Sequence, residues 1–329
     1  MQATRTIGGW PLALLGMLLA FGFLGSRGIW DPDEGRYTNV ALVMLDSGDW
    51  LDPMRNEDTG HWTKPPVAYW LVAASMHAFG RNAWAARLPI ALCFLACALL
   101  AGCTARRLQP GSGAIAAVAS LTMLLPVGAA QLVTTDFPLA AAQALAMHAF
   151  VEHRFGPRRG RGHALLAMWA AFAIAFMVKG PPALLPLVAV GVFALLVPGA
   201  CATGLRWHLG GVALFLLLAL PWYIAVSLRH AGLLQYFLGA EVVDRVATDR
   251  FGRNGQWYGW LVVYLPTLLV GTLPWTRSLW RWARTIASQC RDWRDRNLRA
   301  QHARAILLVL WIALPLLVFC IARSRLPLY

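Results

Sequence analysis

Nine stretches of this chain (8–26, 85–105, 112–133, 137–152, 163–179, 182–198, 208–228, 257–276 and 304–322) are apolar over 16 to 22 residues each. A helix needs about 20 such residues to cross the hydrocarbon core of a bilayer. Backbone polar groups that enter lipid must be satisfied within the segment, which helices do. The pattern therefore predicts an all-α polytopic membrane protein, a bundle of about nine transmembrane helices forming one domain over 1–329. Composition agrees: 58% of residues are hydrophobic and only 13% are charged, against about 25% in soluble domains. Three stretches are imperfect spans. The fourth and fifth are short, and the third contains Pro126. Residues 65–80 are too short and too interrupted to span; Tyr69, Trp70 and His77 suit a helix lying at the interface.

The first stretch, with Arg5 ahead of it and no small-residue cleavage site behind it, is read as an uncleaved helix rather than a signal peptide. The six cysteines show no CxxC pair and no Cys/His metal spacing, so they are read as small apolar fillers.

Charge gives the orientation. With the N-terminus cytoplasmic, loops on that side hold fifteen arginines and only three acids, Glu152, Asp292 and Asp295. The other twelve acids fall on the far side. That satisfies the excess of basic residues expected in cytoplasmic loops. It also assigns the net charge of +14 to topology and anionic lipid rather than to nucleic acid. The alternation places 27–84 and 229–256 as external loops and 277–304 as a basic amphipathic segment on the cytoplasmic leaflet. Asp136, Lys179 and Arg323/Arg325 reach the external face.

That face collects the chemistry. Directly after the first apolar stretch the chain reads Asp31-Pro32-Asp33-Glu34-Gly35-Arg36-Tyr37. Ionisable groups at a membrane boundary are costly unless they pair or function. The Asp33-Glu34 carboxylates can deprotonate or orient an acceptor hydroxyl if one stays ionised, which Arg36 favours. Asp31 or Asp33 can equally cap a helix starting near Glu34. Of 29 basic residues only two are lysines, Lys64 and Lys179, and both precede a Pro-Pro pair. An ammonium held at such a place suits an anion such as phosphate; the alternative is a snorkelling lysine at a helix end. Asp136 is a second acid for the same cavity or a helix cap. Arg323 and Arg325 run against the topology rule, which fits anion binding or a disordered end. The mixed-charge segment around Glu241, Asp244, Arg245, Asp249, Arg250 and Arg253 is a solvated loop or a lid. His61, Glu57 and Asp58 contain possible metal donors without metal spacing.

In order along the chain, PDEGRY (Pro32 to Tyr37), LDSGDWLDP (Leu45 to Pro53), TKPPVAYW (Thr63 to Trp70), TTDFPLAA (Thr134 to Ala141), FMVKGPPALLPL (Phe176 to Leu187), LPW (Leu273 to Trp275) and SRLPLY (Ser324 to Tyr329) resemble bacterial membrane glycosyltransferases of the protein-mannosyltransferase and aminoarabinose-transferase type, with the GT-C fold. The resemblance covers nearly the whole chain. It implies a polyprenyl-phosphate sugar donor and inverting transfer to a lipid, glycan or protein acceptor on the external face of the inner membrane. It implies Asp33 as the catalytic carboxylate, Glu34 as its support and Asp136 as the second acid. Arg36, Lys64, Lys179 and Tyr329 would border the donor phosphate. Tyr37 of the acidic turn and Arg325, which runs against the topology rule, are added to the substrate-binding set.

There are three departures. Thr63 stands where relatives usually carry an acid, some as a metal ligand. No His accompanies Gln256-Trp257-Tyr258. The aminoarabinose-transferase type continues with further spans beyond the motif that here ends at Tyr329. A divalent metal stays open as a cofactor, although the usual ligand positions for it are not matched. Two rival functions are kept: an anionic-lipid transporter or flippase, which should show repeats with interrupted spans at corresponding places where the sequence has none, and an inactive short relative acting as a partner subunit.

Overall fold

A computed structural model describes residues 9–157, 162–199, 205–239 and 254–327. Among them the regular elements are helical, apart from one isolated bridge between Met54 and Gly60. The helices are α1 (Gly9–Phe21), α2 (Asp33–Ser47), α3 (Val67–Phe79), α4 (Ala83–Leu108), α5 (Gly113–Thr122), α6 (Leu124–Ala129), α7 (Asp136–Phe155), α8 (Gly162–Lys179), α9 (Leu185–Leu196), α10 (Leu205–Arg229), α11 (Leu233–Leu238), α12 (Gly259–Gly271), α13 (Thr276–Gln289), α14 (Arg296–Gln301) and α15 (Ala303–Ile321).

By length and composition α4, α8, α10 and α15 can each cross a membrane, and the bent pair α12/α13 makes a fifth if it counts as one span. Of the other expected spans, 137–152 is the unbroken 20-residue α7, and the rest are present as shorter or interrupted helices. The 112–133 stretch divides at Met123, which is extended (φ −65°, ψ 136°). The 257–276 stretch ends at Gly271, and α13 leaves it at 112°. One contact explains both breaks. The turn carrying Leu273-Pro274-Trp275 fits into the gap at Met123, with Leu124 N–H donating to the Leu273 carbonyl (3.0 Å) and Trp275 Nε1 to Thr122 Oγ1 (2.9 Å). Pro274 has no N–H with which to continue a helix.

The basic 277–304 segment is likewise not one helix. Asp295 accepts from Asn297 N–H (2.8 Å) and starts α14, which interrupts the run after Gln289. Arg277, Arg281 and Arg284 are exposed on α13.

The interior centres on α7, which packs against α8 and α4. Met147, Phe150, Leu165, Met168, Phe172, Phe193 and Leu307, from α7, α8, α9 and α15, form the largest cluster. Lipid is as apolar as these side chains, so close packing rather than burial from water holds such helices together. A second cluster joins α1, α4 and α7 around Phe94, whose ring meets that of Phe137 edge-on at 5.4 Å. The segment expected to lie at the interface is α3. One of its faces is buried, with Tyr69 fully covered beside Val40 and Met44 of α2.

Candidate active site

Where α7 begins and α8 ends, the chain encloses a cavity of about 850 Å³. Its walls are mostly apolar: Phe137, Phe176, Leu185, Tyr223, Phe237 and Phe319 among others. Among the described residues three charged side chains, Lys64, Asp136 and Lys179, interrupt them.

Asp136 and Lys179 meet there. The Lys179 ammonium lies 2.5 Å from Asp136 Oδ1, and both side chains are largely buried. Asp136 opens α7, where a helix N-terminus favours negative charge. Lys179 closes α8, and the following Gly180 (φ 71°, ψ −146°) turns the chain into Pro181 and Pro182. A residue with a Cβ is strained at that φ. Lys179 pairs with Asp136 inside the cavity. Lys64 lines the same cavity, donating to the Thr63 carbonyl at 2.9 Å.

The acidic turn divides into two roles. Asp33 is exposed, 3.4 Å from Arg36 one turn along α2, and neither residue lines the cavity. Neither Asp31 nor Asp33 makes a side-chain cap bond; the cap position is Pro32. Glu34 is only 3% exposed. Arg87 of α4 holds it with two bonds, Nε to Oε1 at 2.8 Å and Nη2 to Oε2 at 2.9 Å. Arg27 donates at 2.7 Å, and the amides of Trp30 and Val133 at 2.8 and 3.1 Å. Burial works to raise the Glu34 carboxyl, but these donors outweigh it and take it from 4.5 down to about 2. Glu34 anchors the fold, with its oxygens accepting six hydrogen bonds from Arg87, Arg27, Trp30 and Val133.

Arg325 also differs from expectation. It is buried, and its guanidinium donates to the carbonyls of Asn254 (2.6 Å), Gln256 (2.7 Å) and Cys320 (3.0 Å). It clamps the segment after α15 to the turn before α12, where Asn254 takes the left-handed φ of 53°. Both terminal nitrogens of its guanidinium go to backbone carbonyls, while its Nε is buried without a hydrogen-bond partner among the described residues. Ser324 beside it is buried in the cavity wall, and Arg323 is exposed. Tyr37 is half-buried against His61 and Tyr69. Tyr329 lies outside the described residues, as do Glu241, Asp244, Arg245, Asp249, Arg250 and Arg253.

The donor set does not fit a divalent metal. His61 accepts from Arg55 Nε at Nδ1 (2.9 Å), and its Nε2 contacts Thr63 Oγ1 (3.2 Å), so both ring nitrogens are in use. Glu57 and Asp58 are exposed. No three His, Cys, Asp or Glu gather in a ligating cluster among the described residues.

Sequence reasoning missed a second group of polar residues, behind the cavity residue Trp62. Asp52 accepts from Trp62 Nε1 (2.7 Å) and pairs with His230 Nε2 (2.5 Å). Asp49 pairs with Arg229 (2.5 Å). Burial tends to raise the Asp49 carboxyl, but the Leu51 amide and Arg229 hold it below its ordinary value. These contacts tie the LDSGDWLDP motif to the end of α10. Only the resemblance of that motif signalled them.

A family model described as dolichyl-phosphate-mannose-protein mannosyltransferase matches residues 63–224. An undecaprenyl phosphate-α-4-amino-4-deoxy-L-arabinose arabinosyl transferase of Edwardsiella ictaluri is 31% identical, over 99% of this chain and 57% of the relative. A second, from Pseudomonas fluorescens, is 30% identical over 100% of this chain and 55% of the relative. Among solved structures, ArnT from Cupriavidus metallidurans bound to undecaprenyl phosphate superposes with a TM-score of 0.85 at 26% identity, covering 98% of this chain and 57% of that one. Its apo state gives 0.81 at 27%. The chain thus spans a little over half the length of the proteins it matches.

Proposed function

The chain belongs to the membrane glycosyltransferase family of the protein-mannosyltransferase and aminoarabinose-transferase type, and from that premise we propose that it transfers a sugar from a polyprenyl-phosphate donor to a lipid acceptor. The observation that carries the reading is the cavity. A lipid-linked sugar phosphate is a long apolar chain ending in an anion. A mostly apolar space of about 850 Å³ bearing two lysines complements it. A relative solved with undecaprenyl phosphate shares the fold over nearly all of this chain.

In the proposed reaction the acceptor hydroxyl oxygen bonds to the sugar's anomeric carbon while the bond from that carbon to the phosphate oxygen breaks. The face of attack is opposite the leaving group, so the configuration inverts. Polyprenyl phosphate leaves with the bonding pair, and the hydroxyl proton passes to Asp33. Asp33 stands outside the cavity lining and is accessible, 3.4 Å from Arg36, so it can take the proton from the side of an incoming acceptor. Lys64 and Lys179 stabilise the charge growing on the departing phosphate. Asp136 holds the Lys179 ammonium inside the cavity.

We place the reaction on the external face of the bacterial inner membrane, with nine spans and a cytoplasmic N-terminus. One geometric relation supports this sidedness. Arg107 pairs with Glu152 near the far end of α7, which is 20 residues long. Glu152 lies 16 residues past Asp136, roughly 24 Å at 1.5 Å per residue, so the pair sits most of a hydrocarbon thickness from the Asp136 end.

The test compares envelope lipids and glycans by mass spectrometry from cells carrying the wild-type chain or Asp33→Asn. A sugar-sized increment present only with wild type supports the transferase and identifies sugar and acceptor. Equal profiles from two folded proteins reject it.

A further inference from the structure

Trp62 is held more firmly than a cavity wall requires. Its ring lies on the backbone of Gly60, where a Cβ would stand 2.1 Å from the indole. Its Nε1 donates to Asp52 Oδ1 at 2.7 Å. The other carboxylate oxygen of Asp52 meets His230 Nε2 at 2.5 Å, and the His230 ring packs against the indole with centroids 4.5 Å apart. Asp52 is itself fixed on both sides. Trp222 Nε1 donates to the Leu51 carbonyl (2.8 Å), and Asp49 pairs with Arg229. Contacts spanning more than 170 residues of chain converge on one indole.

That indole lines the cavity two residues before Lys64. We propose that Trp62 is the platform on which the donor's sugar ring lies, and that Asp52 and His230 are the residues that position it. The proposal rests on the reading of the chain as a transferase with a polyprenyl-phosphate sugar donor. In such a donor the sugar is bonded directly to the phosphate, so a sugar subsite must adjoin the phosphate site. Trp62 adjoins Lys64 in the chain and shares its cavity. The face of an indole carries negative charge density, which attracts the polarised C–H groups on one face of a sugar. A platform works only if its tilt is fixed. The Asp52 bond, the His230 ring and the bare Gly60 backbone fix it, and the half-buried Trp62 keeps the remainder of its surface on the cavity.

The experiment measures binding to the full chain in lipid nanodiscs. The probes are undecaprenyl phosphate alone and undecaprenyl phosphate carrying 4-amino-4-deoxy-L-arabinose or mannose. Trp62→Ala is expected to weaken the better sugar-bearing lipid about tenfold, about 1.4 kcal/mol, and the bare lipid phosphate less than twofold. Trp62→Phe should retain part of the difference. Gly60→Ala and Asp52→Asn, which disturb the ring without removing it, should lose about threefold for the sugar-bearing lipid only. Equal losses for bare and sugar-bearing lipids would make Trp62 a structural wall and overturn the proposal. So would no loss for either. If the wild-type chain binds neither kind of lipid, the transferase reading fails and the platform falls with it.

Discussion

Arg87 holds Glu34 by two parallel N–H···O bonds of 2.8 and 2.9 Å, across 53 residues of sequence and with both side chains almost completely covered. The remaining Arg87 N–H groups go to the carbonyls of Leu24, Arg27 and Gly28. Arg27, itself on Glu34, reaches the Gln131 carbonyl at 2.6 Å. One carboxylate thus joins the loop after α1, the start of α2, the first turns of α4 and the approach to α7. Those segments carry Asp33 and Asp136.

Removing one partner of a buried ion pair strands the other, at about 3–5 kcal/mol. Arg87→Met and Glu34→Gln are expected to lower the thermal midpoint of the detergent-purified protein by several degrees. pH gives a second measure. The Glu34 carboxyl is depressed in the fold, from 4.5 to about 2, so the folded state binds fewer protons than the unfolded one in that interval. Its stabilisation is complete above pH about 4.5 and declines as pH falls toward 2. The difference in unfolding midpoint between wild type and Glu34→Gln should therefore shrink steadily below pH 4.5. A difference independent of pH would contradict the paired, ionised state.

The Asp136–Lys179 pair makes a prediction about donor handling. Lys179→Gln removes an ammonium from the phosphate end of the cavity and should cut kcat/KM by about 10²-fold, in the range seen for a lost electrostatic donor. Asp136→Asn leaves the ammonium but releases its position. It should lower kcat more than it weakens binding of undecaprenyl phosphate. The double variant should be no worse than Lys179→Gln alone, since Asp136 acts here through the lysine. Additive losses would give Asp136 a role of its own at the sugar.

The proposed sidedness is checked by labelling. In a background without the native cysteines, Asn56→Cys and Gln109→Cys report opposite faces, since both positions are polar and outside the spans. Asn56→Cys should react with a membrane-impermeant maleimide in intact spheroplasts. Gln109→Cys should react only after lysis. The reverse pattern would invert the topology and move the cavity to the cytoplasm.

What the sequence made legible follows from the range of each interaction. The apolar stretches report local burial, so the long helices α4, α8, α10 and α15 fall where the pattern placed them. The two lysines stood out by rarity, and both line the cavity. Their pairing was not readable, because Asp136 and Lys179 are 43 residues apart and nothing in either neighbourhood names the other. Arg87 was hidden for a related reason. It lies just inside an apolar run, where an arginine reads as a boundary charge until its partner is known. The break at Met123 depends on a turn some 150 residues later, and a local pattern extends a helix through such a place.

Arg325 supplies the last test, because its charge against the topology rule and its geometry give it different tasks. As a phosphate ligand it would tolerate Lys, which keeps the charge. As the clamp seen here it would not, since only a planar fork can serve the carbonyls of Asn254, Gln256 and Cys320 together. Arg325→Lys is therefore expected to lose about 1–3 kcal/mol of stability, the cost of leaving buried polar groups unsatisfied, read as a lower thermal midpoint. Faster proteolysis near Asn254 should accompany it, because that turn loses its anchor. Affinity for undecaprenyl phosphate, measured below the unfolding range, should fall less than threefold. A large loss of lipid-phosphate affinity in a variant of normal stability would return Arg325 to the binding site.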